Sequence, residues 1–179
     1  MTSALRALVG LNNILEIVVK TFAGILVGFM VLTVFGGAVT RYVTGIGYNM
    51  VMELPPILMP WLIFPVAGIL MRSGSHIAVD FLPERLSPRP ARALRAIVAL
   101  IAIGAGVVFC YAGFDATTVF KTVGQKTEME WAFPIWWIYL SFPVGFAILT
   151  SFALENLLKA IVGDTDPDVS ATQSNQAEA

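Results

Sequence analysis

Charge and histidine are scarce in this chain. Of its 179 residues only 13% are charged and 57% are hydrophobic, against about a quarter and about a half in an ordinary soluble domain. Such a surface does not suit water. The single cysteine, Cys110, stands in an apolar run, which excludes an intrachain disulfide, a CxxC pair and a zinc cluster. The single histidine, His76, leaves a two-histidine haem short of a ligand within this chain. A methionine could serve as the second axial ligand, but His76 lies in a polar segment outside the apolar runs. No Ser/His/Asp set, glycine-rich phosphate loop or carboxylate pair stands at active-site spacing. Neither an enzyme nor a cofactor is expected from these residues, and the arginines have a topological explanation that leaves no signal for nucleic acid.

What the chain has instead is long uncharged runs. Thr21–Thr40, Leu54–Met71, Ala96–Phe114 and Trp131–Leu154 contain no Asp, Glu, Lys, Arg or His. Each is close to the ~20 apolar residues a membrane helix needs. The sequence therefore predicts an all-α integral membrane protein with four transmembrane helices, at about 21–42, 53–71, 93–115 and 131–158, making a membrane domain over residues 21–162. Residues 1–20 do not read as a signal peptide, because the apolar run starts only after Lys20 and is long enough to be retained. They carry Leu5, Leu8, Val9, Leu11, Ile14, Leu15 and Val18 on one broad helical face and Arg6, Asn13, Glu16 and Lys20 on the other. That pattern fits an amphipathic helix lying at the interface, or an extension of the first span.

Within the spans, Gly24-x-x-x-Gly28 puts two glycines on one face, and Ala102, Gly106 and Cys110 make a second small-residue face. Both are candidate helix-packing seams, although glycine is also simply frequent in membrane helices. Pro60 and Pro65 lie inside the second span, so a kinked or locally opened helix is expected there, with Trp61 near the bend. The span ends in Arg72-Ser73-Gly74-Ser75-His76 and a short amphipathic, interfacial segment. In it Arg72, His76, Asp80 and Glu84 are spaced by four and would share a helix face and pair their charges if the helix persisted.

Placement of the basic residues sets the topology. Arg6, Lys20, Arg72, Arg85, Arg89, Arg92, Arg95 and Lys159 fall on the side shared by both termini, against Arg41, Lys121 and Lys126 on the other. By the positive-inside rule both termini are cytoplasmic. Arg41, Trp131, Trp136 and Trp137 are then interfacial anchors at the outer side, and Asp115 closes the uncharged part of the third span. Residues 163–179 are polar with little apolar bulk and read as a disordered cytoplasmic tail.

Glu53 opening the second span, and R-S-G-S-H-I-A-V-D-F-L at its exit, together resemble the small membrane subunit of the tripartite ATP-independent periplasmic (TRAP) transporters, the DctQ-like family. The resemblance covers roughly Thr21 to Leu158, and its motif residues are Glu53, Arg72, His76, Ile77, Asp80 and Leu82. It implies a multi-pass protein of the bacterial inner membrane that acts as a non-catalytic scaffold. The partners implied are a large sodium-coupled elevator subunit and a periplasmic protein that delivers an organic acid, with the sodium and substrate sites in the large subunit. The outer loops, with Lys121 and Lys126, are then candidates for docking the periplasmic protein. Two other classes stay open: the small membrane subunit of a tripartite tricarboxylate transporter, and a haem- or quinone-binding membrane anchor of an oxidoreductase.

Overall fold

The fold is given by a computed structural model that describes residues 3–47, 49–72, 88–128 and 132–162. Its elements are α1 (Ser3–Thr44), α2 (Asn49–Arg72), α3 (Pro88–Val123), α4 (Ile135–Tyr139) and α5 (Ser141–Val162). Four stretches, Leu5–Thr44, Glu53–Arg72, Ala93–Val123 and Ile135–Ile161, are long and apolar enough to cross a membrane. This is the all-α, four-span architecture expected from the apolar runs.

The first helix is uninterrupted for 42 residues, about 63 Å at about 1.5 Å per residue. The N-terminal amphipathic segment and the first span are thus one element, because nothing between Lys20 and Phe22 breaks the helix. It stops at Gly45, whose φ of +70° is the left-handed conformation that closes helices and that glycine adopts without a Cβ penalty. Its N–H returns to the Arg41 carbonyl at 3.0 Å. The third helix ends in the same way at Gly124, φ +67°, well past the expected boundary at residue 115.

α2 begins at Asn49 and runs to Arg72 through Pro55, Pro56, Pro60 and Pro65. Each proline withholds an N–H from the carbonyl four residues back, yet no part of the helix opens. Its packing on α5 supplies the restraint: Gly68 lies against Ile148 and Leu149, and Phe64 fits against Gly145 so closely that a Cβ there would collide with it. The Phe64 ring meets Phe142 with centroids 3.9 Å apart.

The fourth span comes as two helices rather than one. Pro134 caps α4, and Leu140 separates it from α5. Pro143 has no N–H for the Tyr139 carbonyl, while the Ser141 hydroxyl donates to Ile138 O at 2.7 Å. The offset aims Trp137 at α2, where its carbonyl accepts from Trp61 Nε1 at 3.2 Å. α5 is the central helix, with α3 and α2 packed along it and α1 resting mainly on α2 and less on α5. On the α3 side Gly106 abuts Thr150 and Leu149, so at Gly106 α3 packs within the chain, on α5. An apolar cluster of Val19, Ile69 and Phe152, flanked by Leu15, Val66 and Ile148, joins α1, α2 and α5 just below their polar ends.

Candidate functional site

The polar side chains of α1 converge with those at the ends of α2 and α5. Along α1 the buried residues are Leu5, Asn12, Val19 and Leu26, one every seven residues, so a single helix stripe faces the bundle. Asn12 is the polar member of that stripe and is fully buried. Its Nδ2 donates to Glu155 Oε2 at 2.6 Å and to the Ser151 carbonyl at 3.2 Å, and its Oδ1 accepts from Ser151 Oγ at 2.7 Å. Asparagine is suited to this because one amide offers donors and an acceptor together.

Glu155, also fully buried, takes two cations as well. Arg72 Nη2 lies 3.2 Å and Lys159 Nζ 3.1 Å from its Oε1. Arg72 extends the cluster back to α1, donating to Glu16 Oε2 and to Asn13 Oδ1, each at 2.5 Å, and its guanidinium stands 5.5 Å from the Phe152 ring centroid. Lys20 pairs with Glu16 from the next turn of α1. Beside them Asn156 Nδ2 donates to the Met71 carbonyl at 3.0 Å. Glu16 and Glu155 thus face Arg72, Lys20 and Lys159, and among the described residues no buried side-chain nitrogen or oxygen lacks a partner. A buried polar cluster that is fully satisfied fixes helix register. Here it ties three helices at one end of the bundle.

α1 turns Asn12 and Glu16 toward the protein together with Leu5, Val19 and Leu26, while Leu11, Ile14, Ile17 and Val18 are exposed, as are Arg6, Asn13 and Lys20. Arg72, Ser151 and Glu155 offer Asn12 and Glu16 hydrogen bonds that lipid cannot.

Arg72 is the sequence-derived motif residue that enters this cluster, and its described partners are Glu16, Asn13 and Glu155. His76 and Asp80 lie outside the described residues, as does Trp131. Glu53 is half-buried one turn into α2 and is engaged in an interaction. Gly24 and Gly28 face outward, with nothing within 4 Å of a Cβ built on either, so that seam has no occupant among the described residues. At the opposite end of the bundle, Lys121 Nζ lies 5.6 Å from the half-buried Trp136 ring. Trp137 packs on Trp61 with centroids 5.1 Å apart. Lys126 is exposed in a short loop where it bridges Pro134, and Arg41 is exposed in the last turn of α1.

Of the residues that carry the cluster, Asn13 and Glu16 are placed on a polar helix face by sequence alone, whereas Asn12, Ser151 and Glu155 are not singled out there. A signal existed: Asn12, Glu16 and Lys20 on one helix, and Ser151, Glu155 and Lys159 on another, are two ladders spaced by four on otherwise apolar segments.

Four apolar helices with their buried ionic groups spent on one another define a small, multi-pass helical membrane protein. Residues 30–163 match the family described as tripartite ATP-independent periplasmic transporters, DctQ component. The chain belongs to that family. It is 30% identical over 138 residues to the C4-dicarboxylate TRAP transporter small permease protein DctQ of Rhodobacter capsulatus, across 73% of this chain and 58% of that protein. To the protein of the same description from Pseudomonas aeruginosa it is 31% identical over 106 residues, across 58% of this chain and 50% of that protein. The chain thus spans little more than half the length of the relatives it matches.

Proposed function

We propose that this chain is the scaffold subunit of a TRAP transporter, held against a large sodium-coupled elevator subunit in uptake of an organic acid from a periplasmic binding protein. A C4-dicarboxylate is the substrate suggested by the names of the two relatives. The observation that supports the scaffold role most is the saturated polar cluster. Proton and ion sites in membranes use costly ionisable groups that change partner or charge, whereas Arg72, Glu16 and Glu155 are committed to joining α1, α2 and α5. The start of α1 and the end of α5 lie at this end, which by the excess of Lys and Arg in the sequence on that side faces the cytoplasm. Lys121 and Lys126 then face the periplasm, where an acidic face of the binding protein would meet them.

The test is to tag the chain, extract it gently from its native membrane and identify what co-purifies in stoichiometric amount. A large polytopic protein is the expected result. A stable self-oligomer alone would refute the scaffold role.

A further inference from the structure

We infer that Asp115 is where this chain grips its membrane partner, its carboxylate pairing with a cationic side chain on a transmembrane segment of the large subunit. The inference rests on the functional reading above, which supplies that partner.

By sequence Asp115 merely closes an apolar run. In the fold, α3 continues for two more turns to Val123, and Val119 and Val123 beyond the acid are exposed apolar residues. The candidate span Ala93–Val123 therefore encloses it.

Its depth follows from the packing register. Gly106 on α3 and Gly68 on α2 both abut Leu149 of α5, so they stand at one level. Along α2, at about 1.5 Å per residue, Gly68 is about 6 Å from Arg72 and about 22 Å from Glu53. Asp115, nine residues beyond Gly106, lies about 14 Å further toward the Glu53 side. α2 carries the shortest of the four candidate spans, so its charged ends mark the thickness available to all of them. That places Asp115 about 9 Å inside the Glu53 end, within the outer half of a hydrocarbon layer about 30 Å thick.

Its direction follows from the helix. Nine positions at ~100° each put Asp115 diametrically opposite Gly106, the residue that packs on α5. Asp115 is exposed, as are Gly104, Val108 and Tyr111 on the same side. The Thr118 hydroxyl donates to Asp115's own carbonyl and that of Thr122 to the Thr118 carbonyl, so neither serves the carboxylate. No described residue pairs with it. Acids inside membranes face a bundle interior or a partner charge, and this one faces away from its own bundle. The missing group is therefore a guanidinium or ammonium on another membrane helix, and the outward face of α3 is the docking face.

The experiment co-expresses the tagged chain with the large subunit and compares wild type, Asp115→Glu and Asp115→Leu for co-purification, with each variant also expressed alone. Asp115→Leu should lower recovery of the large subunit by about three- to tenfold, the range for a lost interhelical polar contact in a membrane. Asp115→Glu should keep most of it, and the variants alone should reach wild-type levels in the membrane. Equal recovery with Asp115→Leu would overturn the inference and assign the face to lipid. A fall in the level of Asp115→Leu expressed alone would overturn it too, since the carboxylate would then serve this chain's own fold. Failure of the wild-type chain to recover a large subunit would instead defeat the functional reading.

Discussion

Replacing Glu155 by leucine is the sharpest perturbation of the polar cluster. It removes the acceptor of Asn12 Nδ2 at 2.6 Å and the counter-charge of Arg72 at 3.2 Å and Lys159 at 3.1 Å, at a site with no solvent exposure. Breaking a buried ion pair from one side costs about 3–5 kcal/mol because the remaining charge is stranded. Arg72 is not fully stranded, for it keeps Glu16 and Asn13, which brings the expected loss to about 2–4 kcal/mol. Glu155→Gln retains an acceptor for Asn12 and loses only the charge, at about 1–2 kcal/mol. Thermal unfolding of the purified chain in detergent should then fall by about 4–16 °C for the leucine variant, at about 2–4 °C per kcal/mol for a chain of this size.

A double-mutant cycle isolates the contact. Asn12→Leu with Glu155→Leu should show a coupling of about 1–3 kcal/mol, since the second substitution finds the bond already gone. Strict additivity, or a shift of under about 2 °C for Glu155→Leu, would show that the cluster does not hold the helices together.

Gly145→Ala should separate α2 from α5, because the added Cβ collides with Phe64, at a cost of about 1–3 kcal/mol read by the same melt. Gly24→Ala and Gly28→Ala meet nothing within 4 Å and should leave the isolated chain unchanged or up to about 1 kcal/mol more stable. A loss of complex with the large subunit in these variants would assign that seam to the partner. Charge reversal at Lys121 and Lys126 should slow uptake without reducing membrane assembly, since the Lys121–Trp136 contact is worth only about 0.5–1 kcal/mol. Unchanged transport would remove both lysines from the docking surface. Trp61→Phe removes the indole N–H bonded to the Trp137 carbonyl and should cost about 1 kcal/mol, seen as a small drop in the melting temperature.

Some of this was legible in residue order. Runs of apolar residues near 20 long demand helices in a bilayer, because a chain crossing lipid must satisfy its own backbone hydrogen bonds. That requirement alone yields four helices, and Gly45 and Gly124 mark two of their ends. The second helix resisted such reading: four prolines suggest a break, but proline weakens a helix only locally, and the contacts of Phe64 and Gly68 with α5 hold it continuous.

The sequence by itself determined the number of spans and their helical type, the bilayer as their solvent, and the aromatic residues clustered before the fourth span. Tertiary structure alone decided which way the faces turn. Hydropathy cannot rank the two sides of a helix when lipid replaces water outside, since an exposed leucine costs nothing there and a polar group must find its partner inside. Hence Asn12 and Glu16 look inward to Glu155 and Arg72, while Leu11 and Ile14 look out. Register between neighbouring helices also belongs to the fold, because it is set by close contacts such as Gly106 on Thr150 and Gly113 on Phe142. The helix itself decides that Asp115, a boundary residue in the linear chain, lies two turns inside the end of α3.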